Sequence, residues 1–201
     1  MGDIQSVGKK NALSDATFSG GRLIALIACE TVQWLKLRRK QAAIVKLDFQ
    51  KAYDRVRWSF VDIVLQKMDF GLRWRTWVKE CVTTASMSVL INGSPSKPFK
   101  MERGLKQGDP LSPFLFVLVV DILHKMVGEV VRNGRISPLR VGRDNIELLH
   151  LQFTDDTILF FPQETETVLN YKRLMHCLEL MSGLSINFDK SSLISVKCEK
   201  Q

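Results

Sequence analysis

The sequence predicts an α+β fold, organised as one domain or at most two small ones. Its 201 residues are 45% apolar and 25% charged, which is typical of a globular chain that buries a core. Short segments that favour β-strands alternate with segments of helical periodicity. No apolar run reaches the roughly 18 residues that a membrane-spanning helix requires, so no membrane partner is expected.

The elements of the first half follow from their periodicity. Residues 22–38 carry apolar side chains at helical spacing, and residues 42–49 form a short apolar stretch suited to a buried strand. Two helices are predicted near 59–69 and 73–84. Ser59, followed three residues later by an acidic residue, indicates a variant of the capping box for the first of them.

A hairpin and a long helix come next. Asn92 and Gly93 favour a two-residue turn between strands at 86–91 and 97–102. Asp109 is then predicted to cap a long apolar helix, because it precedes a proline that suits the first helical position.

The last third predicts two strands on either side of residues 154–156. A helix near 165–181 is expected to end at Gly183, and a final extended segment covers residues 192–196. The mixture of hairpins and helices is the basis for the α+β assignment.

Charge is distributed unevenly along the chain. Residues 1–110 hold 19 basic and 10 acidic side chains, whereas residues 111–201 hold 10 and 11. A basic first half suits a partner with a phosphate backbone, because each neutralised phosphate releases counterions. A solvated basic surface that serves solubility is the alternative.

The four cysteines form no CxxC pair and no cluster with histidine at zinc-ligand spacing. They are therefore interpreted as reduced thiols within a core. Reduced thiols predict an intracellular location, in the nucleus or the cytoplasm.

Three aspartates are the strongest candidates for chemistry. Asp155 and Asp156 are adjacent, and two neighbouring carboxylates repel each other unless a cation such as Mg²⁺ holds them. Acidic residues also occur in ordinary turns, which is the alternative. Asp48 ends the strand of residues 42–49, 107 positions before Asp155, so only the fold could bring them together.

A second candidate segment lies immediately before the long helix. Residues 103–113 read RGLKQGDPLSP, in which two glycines bracket a lysine and Gln107. Glycines permit close approach of a backbone, and a glutamine offers both a donor and an acceptor to a polar ligand.

Four segments in order resemble the motifs of reverse transcriptases. Residues 46–56 (KLDFQKAYDRV) resemble motif A, residues 103–113 motif B, residues 153–156 (FTDD) motif C and residues 182–191 (SGLSINFDKS) motif D. Their order and spacing suit the non-LTR, LINE-type retrotransposons, and their wording is most similar to plant elements. The resemblance covers nearly the whole chain.

The resemblance implies the palm of a right-hand polymerase, an antiparallel β-sheet backed by helices, with a truncated fingers segment and no thumb. It implies residual fingers and a connecting helix in residues 1–41, the palm in residues 42–196 and a tail in residues 197–201. The chain is accordingly expected to be a palm fragment of a larger element.

The resemblance also assigns roles in catalysis. Asp48 and Asp155 would bind two Mg²⁺ ions, with Mn²⁺ as an alternative, and Asp156 would be the third carboxylate. Tyr53 would be the steric gate that excludes a ribose 2′-hydroxyl; a core aromatic is the alternative. Lys190 would donate a proton to pyrophosphate, with an ordinary surface lysine as the alternative.

Four further residues would bind substrate by the same resemblance. Gln107 and Gly108 would contact the incoming nucleotide and the template, and Lys51 and Ala52 complete the substrate-binding set. Thr154 departs from the family pattern, which has alanine before the two aspartates, and this puts full activity in doubt.

The implied function is RNA-directed DNA polymerisation. The expected partners are an RNA template, a DNA primer and deoxynucleoside triphosphates, together with fingers, thumb and endonuclease regions of the parent element. The isolated chain is expected to be weak or inactive. A catalytically silent nucleic-acid-binding remnant is the main alternative, and a metal-dependent nuclease would not explain the segment around Gln107.

Overall fold

The computed structural model describes residues 20–153 and 156–196. Six helices and ten strands are numbered here in chain order. The helices are α1 Gly20–Leu37, α2 Ala52–Arg55, α3 Trp58–Lys67, α4 Leu72–Thr83, α5 Leu111–Arg132 and α6 Thr165–Ser182. The strands are β1 Ala42–Leu47, β2 Ser86–Met87, β3 Leu90–Ile91, β4 Ser94–Pro95, β5 Phe99–Lys100, β6 Leu139–Val141, β7 Ile146–Leu148, β8 His150–Phe153, β9 Asp156–Pro162 and β10 Ser192–Val196.

The chain divides into two compact units. The first comprises the described residues within 1–48, 127–174 and 186–201, and the second comprises residues 49–126 and 175–185. The division falls within α5 and α6, each of which contributes residues to both units.

The first unit is built on a four-stranded antiparallel sheet in the order β10-β1-β9-β8. Strand β1 lies between β10 and β9, with Ala42 opposite Val196 on one side and Leu47 opposite Thr157 on the other. The strands expected at residues 42–49 and 192–196 and on either side of residues 154–156 are confirmed.

One face of this sheet is covered by α1. Ile24 and Leu35 of the helix pack with Ile44 of β1 and Phe160 of β9 in a buried apolar cluster. The opposite face carries Phe161, whose ring lies 4.9 Å from that of Tyr171 in α6. Both faces of the central strands are therefore apolar, in agreement with the nearly continuous apolar sequence of β1.

The second unit contains the two predicted helices α3 and α4, joined by an ion pair. The Arg75 guanidinium donates to both carboxylate oxygens of Asp62, at 2.8 and 2.6 Å. The predicted capping box at Ser59 is wrong. Helix α3 begins at Trp58 without a side-chain cap, because Ser59 lies inside its first turn and Asp62 is turned towards α4.

The predicted hairpin is present in an interrupted form. Asn92 and Gly93 make the turn, but the strands break into two short ladders, Leu90–Ile91 with Ser94–Pro95 and Ser86–Met87 with Phe99–Lys100. Two prolines, which lack an N–H donor, prevent a continuous ladder on the return strand.

The predicted ends of the long helices are confirmed. A carboxylate oxygen of Asp109 accepts a hydrogen bond from the Leu111 amide at 2.8 Å at the start of α5. Helix α6 ends at Ser182, directly before Gly183.

The cysteines are partly as predicted. Cys29, Cys81 and Cys177 are free thiols, but they are exposed rather than in a core, and each lies in a helix. Cys198 lies outside the described residues. In the part of the chain that the structure describes, no helix is both long and apolar enough to cross a membrane.

Candidate functional site

Two of the three candidate carboxylates come to the same end of the central sheet. Asp48 directly follows β1, and Asp156 is the first residue of β9. The antiparallel ladder ends at the pair of Leu47 and Thr157, and Asp48 and Asp156 are the residues next to this pair on the two chain segments. Directly opposite residues project their side chains to one face of a sheet, and both aspartates are half-buried. Asp155 and Thr154 lie outside the described residues.

A lysine shares this face of the sheet. The ammonium of Lys46, two residues before Asp48, lies 3.1 Å from a carboxylate oxygen of Asp156. About half of each side chain remains exposed to solvent, at 49% and 46%. The Asp156 carboxylate is therefore paired with the Lys46 ammonium in the structure, and both groups remain accessible from solvent.

The segment that resembles motif D holds the backbone of Asp48 from both sides. The Asp48 amide donates to the hydroxyl of Ser191 at 3.1 Å, and its carbonyl accepts from the Asn187 amide at 2.8 Å. The Ser191 hydroxyl in turn donates to the Asn187 carbonyl at 2.7 Å. These bonds fix the backbone at the end of β1 and hence the position of the Cα atom of Asp48.

Lys190 lies in the same turn and is exposed, with its backbone amide 3.3 Å from the Asn187 carbonyl. Of the described parts of the first unit, the structure thus brings together Asp48, Asp156 and the turn that contains Lys190. The sequence did not single out Lys46, Asn187 or Ser191. Their roles depend on register and on the tertiary position of a turn, which no local pattern reports.

Tyr53 lies in the short helix α2 of the second unit. Its ring stacks on Phe116 of α5, with ring centroids 4.3 Å apart and an interplanar angle of 19°. Phe116 is fully buried, whereas Tyr53 is half-buried, so one edge of the tyrosine stays accessible beside a fixed partner. Of its neighbours, Lys51 is exposed and Ala52 is buried.

The segment that resembles motif B is attached by three hydrogen bonds to α2, to the residue that follows it and to the start of α3. The Gly104 amide donates to the Val56 carbonyl at 2.8 Å, and the Leu105 amide donates to the Tyr53 carbonyl at 2.7 Å. The indole N–H of Trp58 donates to the Gly104 carbonyl at 2.6 Å. Gln107 and Gly108 follow within three residues of Leu105 and are exposed.

Two glycines allow this close approach to α2. A Cβ atom on Gly104 would lie 2.7 Å from the Asp54 carbonyl oxygen, and its φ is +89°. A Cβ atom on Gly183 would lie 2.6 Å from the Arg55 carbonyl oxygen, and its φ is +80°. Both the space and the backbone conformation therefore require glycine. The helix that carries Tyr53 is held between the two segments.

The described carboxylates fit a hard divalent cation in donor type, because Asp48 and Asp156 offer oxygen ligands on one face. No three metal-binding side chains come together among the described residues, from which Asp155 is absent. The arrangement can hold a cation at the end of the sheet. Within the second unit, the hydrogen bond from the Leu105 amide to the Tyr53 carbonyl holds Tyr53 next to the segment that resembles motif B.

A family comparison matches almost the whole chain. Residues 9–200 match the sequence model described as "Reverse transcriptase (RNA-dependent DNA polymerase)". The Pol polyprotein of the type-1 retrotransposable element R2 of Popillia japonica is 31% identical over 166 residues, which are 79% of this chain and 22% of that protein.

Two other curated relatives match smaller parts. The transposon TX1 149 kDa protein of Xenopus laevis is 28% identical over 153 residues, 75% of this chain and 11% of the relative. An uncharacterized mitochondrial protein of Arabidopsis thaliana is 41% identical over 68 residues, 34% of this chain and 56% of the relative. The chain thus spans about a fifth of the R2 polyprotein.

Solved polymerase structures share the fold. Apo telomerase of Candida tropicalis aligns with a TM-score of 0.60 at 17% identity, covering 87% of this chain and 35% of that one. The BmCPV RNA-dependent RNA polymerase at the elongation state aligns with a TM-score of 0.55 at 13% identity, covering 86% and 16%. The α+β palm fold expected from the sequence is confirmed by these neighbours.

Proposed function

Since this chain belongs to the reverse transcriptase (RNA-dependent DNA polymerase) family, we propose that it is the palm of a retroelement polymerase that extends a DNA primer on an RNA template. The relatives from R2 and TX1 place it with the reverse transcriptase domains of non-LTR retrotransposons. The supporting observation is the register of β1 and β9, which ends at the pair of Leu47 and Thr157 and so brings the adjacent residues Asp48 and Asp156 to one end of the sheet. A nucleotidyl transfer site needs carboxylates so arranged.

Members of this family use divalent metal ions, and we propose two Mg²⁺ ions here, with Mn²⁺ as an alternative. Asp48 and Asp155 would hold them, with Asp156 as the third carboxylate. When bound, such ions activate the primer 3′-hydroxyl and neutralise the charge of the leaving pyrophosphate. The protein contributes orientation: the hydrogen bonds from Asn187 and to Ser191 fix the Asp48 backbone.

The substrate roles belong to the second unit. Tyr53, held by Phe116, would contact the sugar of the incoming deoxynucleoside triphosphate and exclude a 2′-hydroxyl. Gln107 and Gly108 would contact the nucleotide and the template, and Lys51 and Ala52 would line the same subsite. Lys190, which belongs to the first unit, would supply a proton to the departing pyrophosphate. Positioning of this kind accounts for much of the rate of phosphoryl transfer.

The biological setting is also a proposal. A plant element is favoured by the amino-acid sequence of motif A and by the 41% identity to the Arabidopsis protein. We place the polymerase in the nucleus or the cytoplasm, where exposed thiols stay reduced. The predicted boundaries, 1–41, 42–196 and 197–201, remain a proposal, as does a need for fingers, thumb and endonuclease regions from the parent element.

The test is primer extension on an RNA template, with and without Mg²⁺. It is run on the chain alone and on a chimera in which the chain replaces the matching segment of an R2 polyprotein. Asp48→Asn and Asp156→Asn should each lower the rate at least about a hundredfold, because each removes a cation ligand.

Asp69→Asn is the matched control. It removes the same charge at a helix end with φ of 60°, a conformation that asparagine also adopts. Extension that survives Asp48→Asn would contradict the proposal. A folded chimera that binds nucleic acid without any extension would instead favour the silent binding remnant.

A further inference from the structure

A second polar cleft lies entirely within the second unit, and no role in the proposed reaction involves it. Its volume is about 620 Å³, and it is lined by Arg57, Trp58, Ser59, Glu102 and Arg103. All of these side chains are exposed except Trp58, which is half-buried. A volume of this size is within the range of small-ligand sites.

The two guanidinium groups of the cleft form no ion pair with any carboxylate in the described part of the chain. Of the ion pairs formed between described residues, none includes Arg57, Arg103 or Glu102. One Arg57 nitrogen donates to the Leu180 carbonyl at 2.7 Å, which orients this guanidinium without neutralising its charge. By contrast, Arg75, Arg132 and Arg140 are each paired with an acidic side chain.

The cleft is also held in place. The Trp58 indole donates to the Gly104 carbonyl, next to Arg103, and the Gly104 amide donates to the Val56 carbonyl, next to Arg57. These bonds tie together the two chain segments that carry the arginines. The cleft lies at the start of α3, whose first amide groups add partial positive charge.

We propose that this cleft binds phosphate oxyanions through Arg57 and Arg103. Guanidinium groups match the geometry of phosphate because they donate two parallel hydrogen bonds, and Trp58 supplies an apolar wall. Glu102 opposes an anion and sets an upper limit on affinity. The ligand class rests on the proposed function: the phosphates belong either to the backbone of a nucleic-acid strand or to a nucleoside triphosphate.

The test measures binding of the chain to a short fluorescent single-stranded oligonucleotide in EDTA, so that catalysis and metal ions play no part. Arg103→Gln should weaken binding about fivefold to tenfold at 0.1 M salt, since a charged hydrogen bond is lost. It should also lower the slope of log affinity against log salt by about 0.7, the value for one phosphate contact on a single strand. Arg57→Gln should act in the same direction.

Two further variants separate this site from general electrostatics. Arg140→Gln removes the same charge from an exposed arginine that is paired with Glu147 at 3.0 Å, and it should change affinity less than Arg103→Gln. Glu102→Gln should tighten binding about twofold, because it removes a repelling carboxylate. Equal effects of Arg103→Gln and Arg140→Gln in folded proteins, or weaker binding by Glu102→Gln, would overturn the proposal.

The source of the phosphate is settled by competition. Displacement by unlabelled oligonucleotide but not by deoxynucleoside triphosphate at the same phosphate concentration assigns the cleft to a strand. Displacement by triphosphate, lost in Arg103→Gln, assigns it to the nucleotide, and both results support an oxyanion site. Because the assay contains no metal, failure here leaves the primer-extension test of Asp48 and Asp156 independent.

Discussion

The ion pair between Lys46 and Asp156 could not be predicted from any local sequence pattern. Its ammonium lies 3.1 Å from Asp156, so it competes with any other cation that approaches this carboxylate. Lys46→Gln should therefore tighten divalent-ion binding about twofold to fivefold, the range expected for an exposed ion pair. Isothermal titration calorimetry or electron paramagnetic resonance of Mn²⁺ measures the divalent-ion affinity without any catalytic turnover.

Lys125→Gln provides the comparison for Lys46. Lys125 also pairs with an aspartate, Asp121 at 3.4 Å, but within α5 rather than at the sheet end. If both substitutions change divalent affinity equally, the effect is one of net charge, and Lys46 has no special relation to the site.

Sugar discrimination is the prediction that belongs to Tyr53. Tyr53→Val, in an extended chain that supports primer extension, should raise ribonucleotide incorporation relative to deoxyribonucleotide incorporation by at least about tenfold if the ring is the proposed barrier to the 2′-hydroxyl. Tyr53→Phe keeps the ring and its stacking on Phe116, so it should retain discrimination. Single-nucleotide extension kinetics give both ratios, and an unchanged preference in Tyr53→Val would make this residue a core aromatic.

At the scale of elements, the packing of α2 requires the two glycines, Gly104 and Gly183, that contact its backbone. Gly104→Ala and Gly183→Ala should each destabilise the fold by about 2 kcal/mol or more, because a Cβ atom would meet a backbone carbonyl at a positive φ. Gly128→Ala in α5 meets nothing within 4 Å and should stabilise by up to about 1 kcal/mol. Chemical denaturation measures all three; a neutral Gly104→Ala would mean that the contact with Asp54 relaxes freely.

The ion pair between Asp62 of α3 and Arg75 of α4 makes the free energy of unfolding depend on pH. Hydrogen bonds from Arg75 hold the pKa of the Asp62 carboxyl below its ordinary value of 3.8, although burial opposes this. The pair therefore contributes fully above about pH 5, and its contribution is lost as the pH falls through the lowered pKa. The Tm of Asp62→Asn should lie below that of the unsubstituted chain at pH 7, and the difference should shrink as the pH falls below 3.8 and disappear only below the lowered pKa of Asp62.

Asp69→Asn serves again as the comparison, because Asp69 has no ion pair with a described residue. Its Tm should follow that of the unsubstituted chain across the same pH range. A difference between Asp62→Asn and the unsubstituted chain that persists undiminished at low pH would show that packing, not charge, is lost.

The elements were largely predictable, and the exceptions have physical causes. The strand at residues 192–196 and the cap at Asp109 follow from local periodicity and chain chemistry, and both are confirmed. The cap proposed for Ser59 failed because a tertiary partner, Arg75, competes for Asp62. Asp48 and Asp156 were identifiable by type, whereas Lys46 and Ser191 depend on pairings that only the folded chain creates.

At the scale of the whole molecule, the thiols give a direct check. Cys29 lies in the first unit and Cys81 and Cys177 lie in the second, and all three are free and exposed. Because these residues are exposed, all three should react with a thiol reagent in the native protein as fast as in denaturant, within about a factor of ten. Mass spectrometry of the modified peptides identifies each site; protection of any of them would reveal a covering surface.

The register between β1 and β9 also determines which insertions and deletions a copy of this gene could tolerate. Deletion of a single codon within β9 shifts the remaining residues to the opposite face and separates Asp156 from Asp48. An in-frame insertion in the connection between β6 and β7 leaves the register of β1 and β9 untouched. Among related genomic copies under selection, one-codon insertions and deletions should therefore be absent from β1 and β9, whereas the connection between β6 and β7 should vary in length. In copies that are no longer under selection, insertions and deletions should be distributed at random along the chain.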